Sequence, residues 1–347
     1  MKKKLRVGVI GLGMGRWHVR GYQSHPAAAV VAVADADAAR LQEMGDELGV
    51  PGRYTDPLAM LAAEDLDVVS VATPNRFHAP LSIAALRAGC HVLCEKPMAM
   101  NAREARAMCA AAARARRRLM INFSYRFSPA SQQLKAQVDR GAVGEVYFAR
   151  TFWHRRRGMP KFGGWFGQRA LSGGGPLIDL GVHRLDLALW LMGYPEPAWV
   201  MGGAYDHIAS RLAKEQGKSF DVEDLAGAFI RFRNGASLVL EASWAGNIAD
   251  PEWMETRLWG RKGGLVQRNV GGGYQFEAEL YVERKGDVVA RPLPPPPKQA
   301  RSGYWRFIDA IAKGVPHPAG AREGLIVMQI LEAIYRSAAT GRPVRVG

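Results

Sequence analysis

A carboxylate and an imidazole are closely spaced in the stretch "SGGGPLIDLGVHRLDLALWLMG", residues 172–193. If this stretch is helical, Asp179, His183 and Asp186 fall at positions i, i+4 and i+7, on one face. A carboxylate one turn from an imidazole fixes the tautomer and raises the basicity of the ring, as a general base requires. The alternative is a surface histidine with a salt-bridging aspartate. The pair alone favours that alternative, because i, i+4 pairs are common.

A second group of ionisable residues follows an apolar run in "HVLCEKP", residues 91–97. Lys96 is predicted to leave the carboxyl end of a parallel strand, where open α/β sheets bind their ligands. Because the residue before a proline avoids the helical region, Pro97 directs Lys96 away from the following helix. Glu95 could hold the ammonium group or accept hydrogen bonds from neighbouring backbone. The alternative is an ordinary surface ion pair.

A glycine-rich turn, "GLGMG", follows the β-rich run "LRVGVI" near the beginning of the chain. Gly11, Gly13 and Gly15 let the backbone turn tightly and approach a pyrophosphate, while the next helix supplies N–H donors. Met14 belongs to the same predicted cofactor loop. The third glycine comes one residue earlier than in the G-x-G-x-x-G spacing, so an ordinary strand-to-helix turn is the alternative.

Asp35 supports the dinucleotide interpretation of the glycine turn. It ends the second predicted strand, where a carboxylate accepts hydrogen bonds from the ribose hydroxyls of NAD and repels the 2′-phosphate of NADP. We therefore expect NAD as the cofactor, with NADP used less efficiently where Arg40 offsets the repulsion. Asp37 is expected to cap the next helix.

The elements that must position these residues alternate between strands and helices over the first 123 residues. Helical stretches, one of them ending at Gly89, separate the apolar runs. The runs themselves are predicted as strands at 5–10, 29–35, 67–73, 91–94 and 119–123. Continuous apolar strands separated by helices indicate a parallel sheet covered on both faces. We expect residues 1–123 to form an α/β domain that binds the dinucleotide.

The pattern changes after Ser124. A helix at 128–141 precedes an aromatic strand at 145–154, and residues 224–246 are typical of a hairpin that turns at "NG". Another antiparallel pair is predicted over 254–268.

Two helices close the chain, after the proline-rich segment 291–299, which we interpret as a surface connector. These elements predict a second α/β domain, residues 124–347, with a large open, mainly antiparallel sheet. Its C-terminal helices could pack back on the first domain.

Composition and charge narrow the class of function. A chain of 347 residues exceeds the usual size of one hydrophobic core, so two domains are expected. The formal charge is +15, but the basic residues are spread along the chain without a recognition helix or a zinc module. Nucleic acid is therefore not an expected partner. A basic surface that concentrates anionic ligands, or a compositional bias, is the better explanation.

The cysteines and apolar runs predict neither a disulfide framework nor a membrane anchor. Cys90, Cys94 and Cys109 are interpreted as reduced core thiols, and no zinc-binding spacing is present, so no metal is expected. No apolar run approaches the roughly 20 residues of a membrane span, and glycines break the apolar run at the start. We expect a cytoplasmic protein with no membrane partner.

Two of these stretches together resemble the glucose–fructose oxidoreductase / inositol dehydrogenase (Gfo/Idh/MocA) family. They are "TPNRFHAPLSIAALRAGCHVLCEKP" and "GGGPLIDLGVHRLDLALWLMG", and the resemblance extends from Leu5 to the final "GRPVRV". It implies a doubly wound Rossmann domain followed by an α/β domain whose open sheet forms homodimers or homotetramers. It also implies NAD(P)-dependent hydride transfer between nicotinamide and a ring hydroxyl of a sugar, sugar derivative or cyclic polyol.

The resemblance assigns roles to individual residues. Lys96, Asp179 and His183 match the family's catalytic residues. The implied cofactor contacts are Gly11, Gly13, Met14, Gly15, Asp35, Thr73, Asn75, His78, Glu95 and Lys96. The implied substrate contacts are Lys96, Tyr125, Arg126, His154, Arg155, Trp165, Asp179 and His183. In "FWHRRRG", Arg156 stands where inositol dehydrogenases have asparagine, which weakens the prediction of an inositol substrate.

The implied mechanism is the oxidation of a ring hydroxyl. His183 takes its proton, Lys96 hydrogen-bonds the same oxygen, and Asp179 orients His183 while the hydride passes to the nicotinamide. One alternative is a glycosidase of the same family, which oxidises C3 transiently, eliminates the aglycone and re-reduces the ring. A non-catalytic sugar sensor is the other, and the three intact catalytic residues argue against it.

Overall fold

The computed structural model describes residues 3–291, 293 and 301–347. The chain divides into two compact units, the first comprising Met1–Phe123 and Arg301–Met328, the second Ser124–Ala300 and Gln329–Gly347. The assignment of 1–123 and 124–347 to two domains differs from this division in residues 301–328. The functional roles given to the two stretches remain predictions. Most of the predicted connector, 291–299, lies outside the described residues.

The first unit contains a six-stranded sheet in the order β3-β2-β1-β4-β5-β6. Its strands are β1 (Leu5–Ile10), β2 (Ala28–Ala34), β3 (Gly52–Tyr54), β4 (Val68–Val71), β5 (His91–Cys94) and β6 (Leu119–Ile121). All neighbouring strands pair in parallel. This is the strand order of the Rossmann fold, so the predicted parallel sheet is confirmed. The short strand β3 had no apolar run to indicate it.

Helices connect the strands of the first unit. They are α1 (Leu12–Gln23), α2 (Ala38–Glu47), α3 (Pro57–Ala63), α4 (His78–Arg87) and α5 (Ala102–Ala115). The side chains of Asp37, Asp56 and Asn101 accept backbone hydrogen bonds at the starts of α2, α3 and α5. Such caps satisfy N–H groups that have no partner within the helix, and the predicted cap at Asp37 is confirmed.

The second unit is built on a nine-stranded sheet in the order β14-β13-β12-β11-β7-β10-β9-β8-β15. Its strands are β7 (Val146–Arg155), β8 (Pro197–Tyr205), β9 (Leu225–Phe232), β10 (Ser237–Ser243), β11 (Glu252–Gly260), β12 (Gly263–Val270), β13 (Gln275–Arg284), β14 (Asp287–Arg291) and β15 (Val344–Arg345). The β7–β10 pair is parallel and the other pairs are antiparallel. The predicted large, mainly antiparallel sheet and its hairpin at Asn234-Gly235 are confirmed.

The remaining helices are α6 (Pro129–Asp139), α7 (Arg169–Ser172), α8 (Val182–Leu191), α9 (Ala209–Glu215), α10 (Gly303–Lys313) and α11 (Ala321–Thr340). Within the second unit, α8 packs against β7 and β11. Leu185, Leu187 and Leu189 on α8 are fully buried. The boundary between the two units falls inside α11.

One face of the nine-stranded sheet carries partly exposed aromatic side chains. We call it the open face. It includes Trp199 and Phe229, at 37% and 36% exposure, and Trp253 at 40%. The strand register places Phe152 and His154 of β7 on the same face, since Trp253 pairs with His154. Successive residues of a strand point to opposite faces, so Trp153 and Arg155 lie on the other side.

Among residues 3–291, 293 and 301–347, no helix is long and apolar enough to cross a bilayer. Within the same residues, no group of three or more His, Cys, Asp and Glu side chains could hold a metal ion. The three cysteines carry free thiols.

Candidate active site

The glycine turn after β1 is shaped by backbone and packing. Gly11 has φ 87°, and a Cβ on it would lie 2.7 Å from the carbonyl oxygen of Ala72. A Cβ on Gly15 would lie 2.9 Å from Val9 Cγ1, so this glycine lets α1 pack closely on β1. Gly13 has open space around it, and Met14 is 55% exposed. The loop therefore leaves its outer side accessible, as a pyrophosphate site requires.

Asp35 ties the glycine loop to the end of β2. Its carboxylate accepts hydrogen bonds from the backbone N–H groups of Leu12 (2.7 Å) and Asp37 (2.9 Å). Arg40 Nη1 lies 3.3 Å from Asp35 Oδ2, and Arg40 also pairs with Asp37. A carboxylate thus stands where the predicted ribose contact should be, with an arginine beside it.

The loop after β4 contains an unsatisfied hydroxyl. Thr73 Oγ1 is buried and has no hydrogen-bond partner among the described residues. Thr73 also borders the glycine turn, with its Cγ2 3.0 Å from the position of a Cβ on Gly11. A buried hydroxyl without a partner costs about 1–3 kcal/mol, and a bound ligand could supply the missing hydrogen bond.

His78 links this loop to the turn that carries Lys96. Its Nε2 lies 2.8 Å from the Thr73 carbonyl oxygen and its Nδ1 lies 2.7 Å from the Pro97 carbonyl oxygen. Burial lowers the pKa of His78, and the two carbonyl groups offset this only in part. Asn75, in the same loop, is also buried. The ring therefore positions the turn around Lys96.

Glu95 differs from the surface ion pair considered above. The side chain is buried, and its Oε1 accepts hydrogen bonds from His18 Nε2 (2.9 Å) and Asn122 Nδ2 (2.6 Å). Its Oε2 accepts from the backbone N–H of Lys96 at 3.2 Å. Burial alone would raise the pKa of Glu95, but His18, Asn122 and the Lys96 ammonium outweigh it and lower the pKa. Glu95 therefore anchors the Lys96 backbone from the interior.

The predicted helix over residues 172–193 forms in two parts. A π-helical turn, Leu177–Gly181, contains Asp179, and α8 begins at Val182 with His183 in its first turn. Both Asp179 and His183 are half-buried. Single π-helical turns are found frequently at functional sites, and this one carries the predicted carboxylate–imidazole pair.

Two contacts fix the π-helical turn. Glu223 is buried and accepts hydrogen bonds from the backbone N–H groups of Gly175 (2.9 Å) and Leu177 (3.2 Å). Burial raises the pKa of the Glu223 carboxyl, and these donors offset that effect in part. The Asp179 carboxylate accepts from Trp244 Nε1 at 3.2 Å. A fully buried tryptophan next to β10 thus sets the orientation of the predicted orienting carboxylate.

Aromatic rings surround His183. The Tyr125 ring centroid lies 5.0 Å from that of His183, and the Trp153 centroid lies 6.0 Å away. Phe276 completes the group, with its centroid 5.7 Å from Tyr125. Arg184 contacts all three rings, with Cζ 5.0 to 5.7 Å from their centroids. We call Tyr125, Trp153 and Phe276 the aromatic cluster.

Arg184 is completely buried. Its Nη1 donates to Gln267 Oε1 at 3.3 Å, while Nε and Nη2 have no hydrogen-bond partner among the described residues. Burial lowers the pKa of Arg184 to about 10, so the group is charged at neutral pH. The guanidinium is stabilised mainly by the faces of aromatic rings.

Arg126 and Asp186 form a different buried pair. Arg126 is 1% exposed and donates to Asp186 from Nε at 2.8 Å and from Nη2 at 2.5 Å. Tyr194 also hydrogen-bonds both partners. The implied substrate contact of Arg126 is therefore corrected: its guanidinium is enclosed within the second unit and holds α8. Asp186 likewise does not extend the Asp179–His183 pair.

His154 and Arg155 point to opposite faces of the sheet. His154 lies on the open face, 3.4 Å from Glu241 and stacked on Phe152. Arg155 lies over the Trp153 ring, on the side of His183. Since neighbouring residues of a strand alternate in direction, the two side chains lie on opposite faces of the sheet, and their implied substrate contacts remain predictions.

Trp165 lies in a short 3-10 turn, Trp165–Gly167. Its ring stacks on Phe166 with centroids 3.8 Å apart, and Phe166 packs against the core around Trp244. The predicted substrate contact of Trp165 remains a prediction.

Several residues of the site had no signal in the sequence. Trp244 acts on Asp179, which lies 65 residues earlier along the chain. Arg184 directly follows His183 but sits in an apolar helix pattern. Trp153 could have been identified, because the alternation of β7 puts it on the face of Arg155.

Comparison with known proteins identifies the family of the chain. A family described as "Oxidoreductase family, NAD-binding Rossmann fold" matches residues 5–123, and the "GFO/IDH/MocA C-terminal domain" matches residues 131–266. The D-glucoside 3-dehydrogenase of Escherichia coli K12 is 36% identical over 98% of this chain and 97% of the relative.

Two further proteins extend the comparison. The myo-inositol 2-dehydrogenase of Thermotoga maritima is 27% identical over 98% of each chain. A solved structure of levoglucosan dehydrogenase in complex with NADH superposes with a TM-score of 0.87 and 27% identity, covering 99% of this chain and 100% of that one. The two domain matches and the 36% identity across nearly the whole chain establish that this protein belongs to the Gfo/Idh/MocA family of NAD-binding oxidoreductases.

Proposed function

We propose that this enzyme is an NAD-dependent dehydrogenase that oxidises a ring hydroxyl of a neutral sugar or glycoside. The observation that carries the proposal is the Asp179–His183 segment, with Asp179 held by Trp244 and His183 flanked by aromatic rings. The name of the relative at 36% identity favours C3 of a glucoside as the oxidised position.

The residues of the first unit fit a nicotinamide dinucleotide. Gly11 and Gly15 leave no room for side chains, Asp35 stands at the end of β2, and the Thr73 hydroxyl lacks a partner among the described residues. We assign the pyrophosphate to the glycine loop, the adenosine ribose to Asp35 and the nicotinamide ribose to the loop of Thr73. When bound, the cofactor supplies the hydride acceptor.

The proton chemistry is assigned to three side chains. His183 removes the proton from the hydroxyl, and the Asp179 carboxylate favours the imidazolium that forms. Lys96, anchored through its backbone by Glu95, stabilises the negative charge that develops on the same oxygen. In the reducing direction the same groups return the proton.

Substrate oxidation tests the proposal directly. With methyl β-D-glucoside and NAD⁺, we expect NADH to accumulate, whereas the 3-deoxy glucoside should give none and the 2-deoxy glucoside should still react. Release of an aglycone from a nitrophenyl glucoside without net NADH would instead identify the glycosidase. Absence of both products across glucosides, free sugars and inositols would reject the proposal.

We propose that NAD is preferred over NADP because the Asp35 carboxylate repels a 2′-phosphate. The wild type should show the higher kcat/KM with NAD⁺. Asp35→Ser should narrow the difference, since Arg40 loses one of its two carboxylate partners and its Nη1 becomes available to the phosphate. A wild-type preference for NADP⁺ would reject the role of Asp35.

We also propose that the open face forms an interface between copies of the chain. Its partly exposed tryptophans and Phe229 are large apolar side chains that a monomer would leave in water. Sedimentation at micromolar concentration should show a dimer or tetramer. A monomer under these conditions would reject the interface.

A further inference from the structure

The arginine run "HRRRG" suggests an anion site in the sequence, but its side chains separate in the structure. Arg156 donates to the carbonyl of Ala249, and Arg157 to Gly246 and Asn247, all near the surface. Only Arg155 lies beside the Trp153 ring. The charge available to a substrate next to His183 therefore depends on Arg155 and its partners.

Arg155 belongs to a closed network. Its Nε donates to Glu252 Oε1 at 2.7 Å, and its Nη2 donates to Tyr274 Oη at 2.8 Å. The same Oε1 accepts from Trp153 Nε1 at 2.5 Å and from the Tyr274 hydroxyl at 3.2 Å. Three donors thus converge on one carboxylate oxygen, which fixes Glu252 against the guanidinium.

This network borders the predicted catalytic pair. Trp153 contacts both Glu252 and the His183 ring. Burial would lower the pKa of Arg155, but the hydrogen bond to Glu252 and the carboxylate charges of Glu252 and Asp179 contribute to raising it. Arg155 therefore lies within electrostatic range of Asp179. The arginine and glutamate side chains are 23% and 13% exposed, so a ligand can reach the edge of the pair.

The positive charges around the network are thereby either neutralised or covered. Glu252 compensates Arg155, and Arg184 is enclosed by the aromatic cluster with no exposed atom. A carboxylate or phosphate on the substrate would compete with Glu252 for the charge of Arg155 and would be repelled by the carboxylates of Glu252 and Asp179. Hydroxyl groups, in contrast, can bond to the pair without separating it.

We infer that Glu252 restricts the enzyme to uncharged glycosides by neutralising Arg155. Glu252 acts through Arg155 and is a specificity-determining residue rather than a catalytic one. The inference deepens the proposed function and rests on it for the location of the substrate.

A matched pair of ligands tests the inference by calorimetry in the presence of NADH. Methyl β-D-glucoside and methyl β-D-glucuronide differ only in the carboxylate at C6. We expect the wild type to bind the glucoside at least about tenfold more tightly, since one unpaired charge near another costs this much or more. Equal binding of the two, or binding of neither, would overturn the inference.

Three variants sharpen the test. Glu252→Gln keeps an acceptor oxygen but removes the charge, and should shift the Kd ratio about tenfold toward the glucuronide. Arg155→Gln leaves Glu252 unopposed and should shift the ratio the other way. Glu255→Gln, on the open face of the same strand and paired with Arg257, should leave it unchanged.

The opposite shifts of the Kd ratio expected for Glu252→Gln and Arg155→Gln distinguish charge selection from structural damage. A purely structural role for the network would weaken both ligands equally in Glu252→Gln and Arg155→Gln, and that result would overturn the inference. Oxidation of the glucoside is measured separately as NADH formation. If the binding ratios behave as expected but no NADH forms, the proposed function fails while the charge selection stands.

Discussion

Two buried charges, one in each unit, are stabilised in different ways. In the first, the Glu95 carboxylate has hydrogen-bond donors on both oxygens and its pKa is lowered. In the second, the guanidinium of Arg184 lies against aromatic rings, two of its nitrogens lack partners among the described residues, and its pKa is lowered to about 10. One buried charge is stabilised by hydrogen bonds and the other mainly by ring faces.

This difference lies next to the two predicted catalytic side chains. The Glu95 carboxylate holds the backbone of Lys96 through a hydrogen bond from its N–H. Arg184 directly follows His183 and lies against the Tyr125 ring that also flanks His183. Lys96 is thus anchored by a hydrogen-bonded anion, whereas His183 stands beside a cation that is packed against rings.

Substitutions of His183 and Lys96 should have the largest effects on kcat. His183→Ala should lower kcat by about two to four orders of magnitude and abolish the rise of oxidation with pH. Lys96→Met should lower kcat as well but keep that pH dependence, because the base remains. Steady-state rates across pH 6 to 10 distinguish them. The roles are reversed if the pH dependence survives in His183→Ala and disappears in Lys96→Met.

Removing either of two buried arginines should change the free energy of unfolding, but by different amounts. Arg126→Met leaves Asp186 buried without its cation and should lower the free energy of unfolding by about 3–5 kcal/mol. Arg184→Met removes a charge that forms no salt bridge with the described residues, so the change should stay within about 1 kcal/mol or be stabilising. Urea denaturation at pH 7 measures both.

The matched control for this pair is the double variant Arg126→Met/Asp186→Leu, which removes both charges. It should recover most of the stability lost in Arg126→Met. Equal destabilisation by Arg126→Met and Arg184→Met would contradict the difference between the two sites.

A smaller effect on kcat is expected when the hydrogen bond that orients Asp179 is removed. Trp244→Phe removes the indole N–H and should lower kcat about tenfold, while the affinity for NAD⁺ hardly changes. Because Trp244 acts through Asp179, the double variant Trp244→Phe/Asp179→Asn should lose less activity than the two single effects added together in free energy. Trp253→Phe, on the open face, is the control. Additive effects of Trp244→Phe and Asp179→Asn would refute the coupling.

The smallest expected effect is the contribution of His91, in the first unit, to the pH dependence of the free energy of unfolding. Burial and the charges of Arg117 and Arg118 lower the pKa of His91 to about 4, and its Nδ1 accepts from the Arg118 backbone N–H. An unfolded histidine titrates near 6.5, so between about pH 6.5 and 4 the unfolded chain binds the additional proton. The free energy of unfolding should therefore fall as the pH falls through this window.

His91→Asn retains an acceptor for the Arg118 N–H and removes the titrating group, so the pH dependence in this window should become shallower. Urea denaturation at pH 7, 6, 5 and 4 measures the slope for both proteins. The exposed His207 in the second unit provides the control, His207→Asn. An unchanged slope in His91→Asn would exclude His91 as the source.

The sequence predicted features that depend on neighbouring residues. Apolar runs located β1, β2, β4, β5 and β6, and the turn preference of Asn234-Gly235 located the β9–β10 hairpin. The cap at Asp37 followed from its own helix. These signals lie within a few residues of the structure that they specify.

The partners of buried charged groups could not be predicted in this way. Glu95 accepts from His18, 77 residues earlier, and Arg126 pairs with Asp186, 60 residues later. Which ion pair forms depends on how the strands and helices pack, and no local pattern distinguishes a buried arginine from a substrate contact. The opposite directions of His154 and Arg155, however, follow from strand alternation and were available from the sequence.

Strand β7 gives this enzyme two independent sets of positions for engineering. Thr151, Trp153 and Arg155 face α8, so libraries at odd-numbered positions would explore substrate selection. Phe152 and His154 lie on the open face, where Phe152 is buried beneath its neighbours, so changes at these positions would alter the packing of that face. A single-residue deletion ahead of Thr151 would exchange the two sets and disrupt both at once.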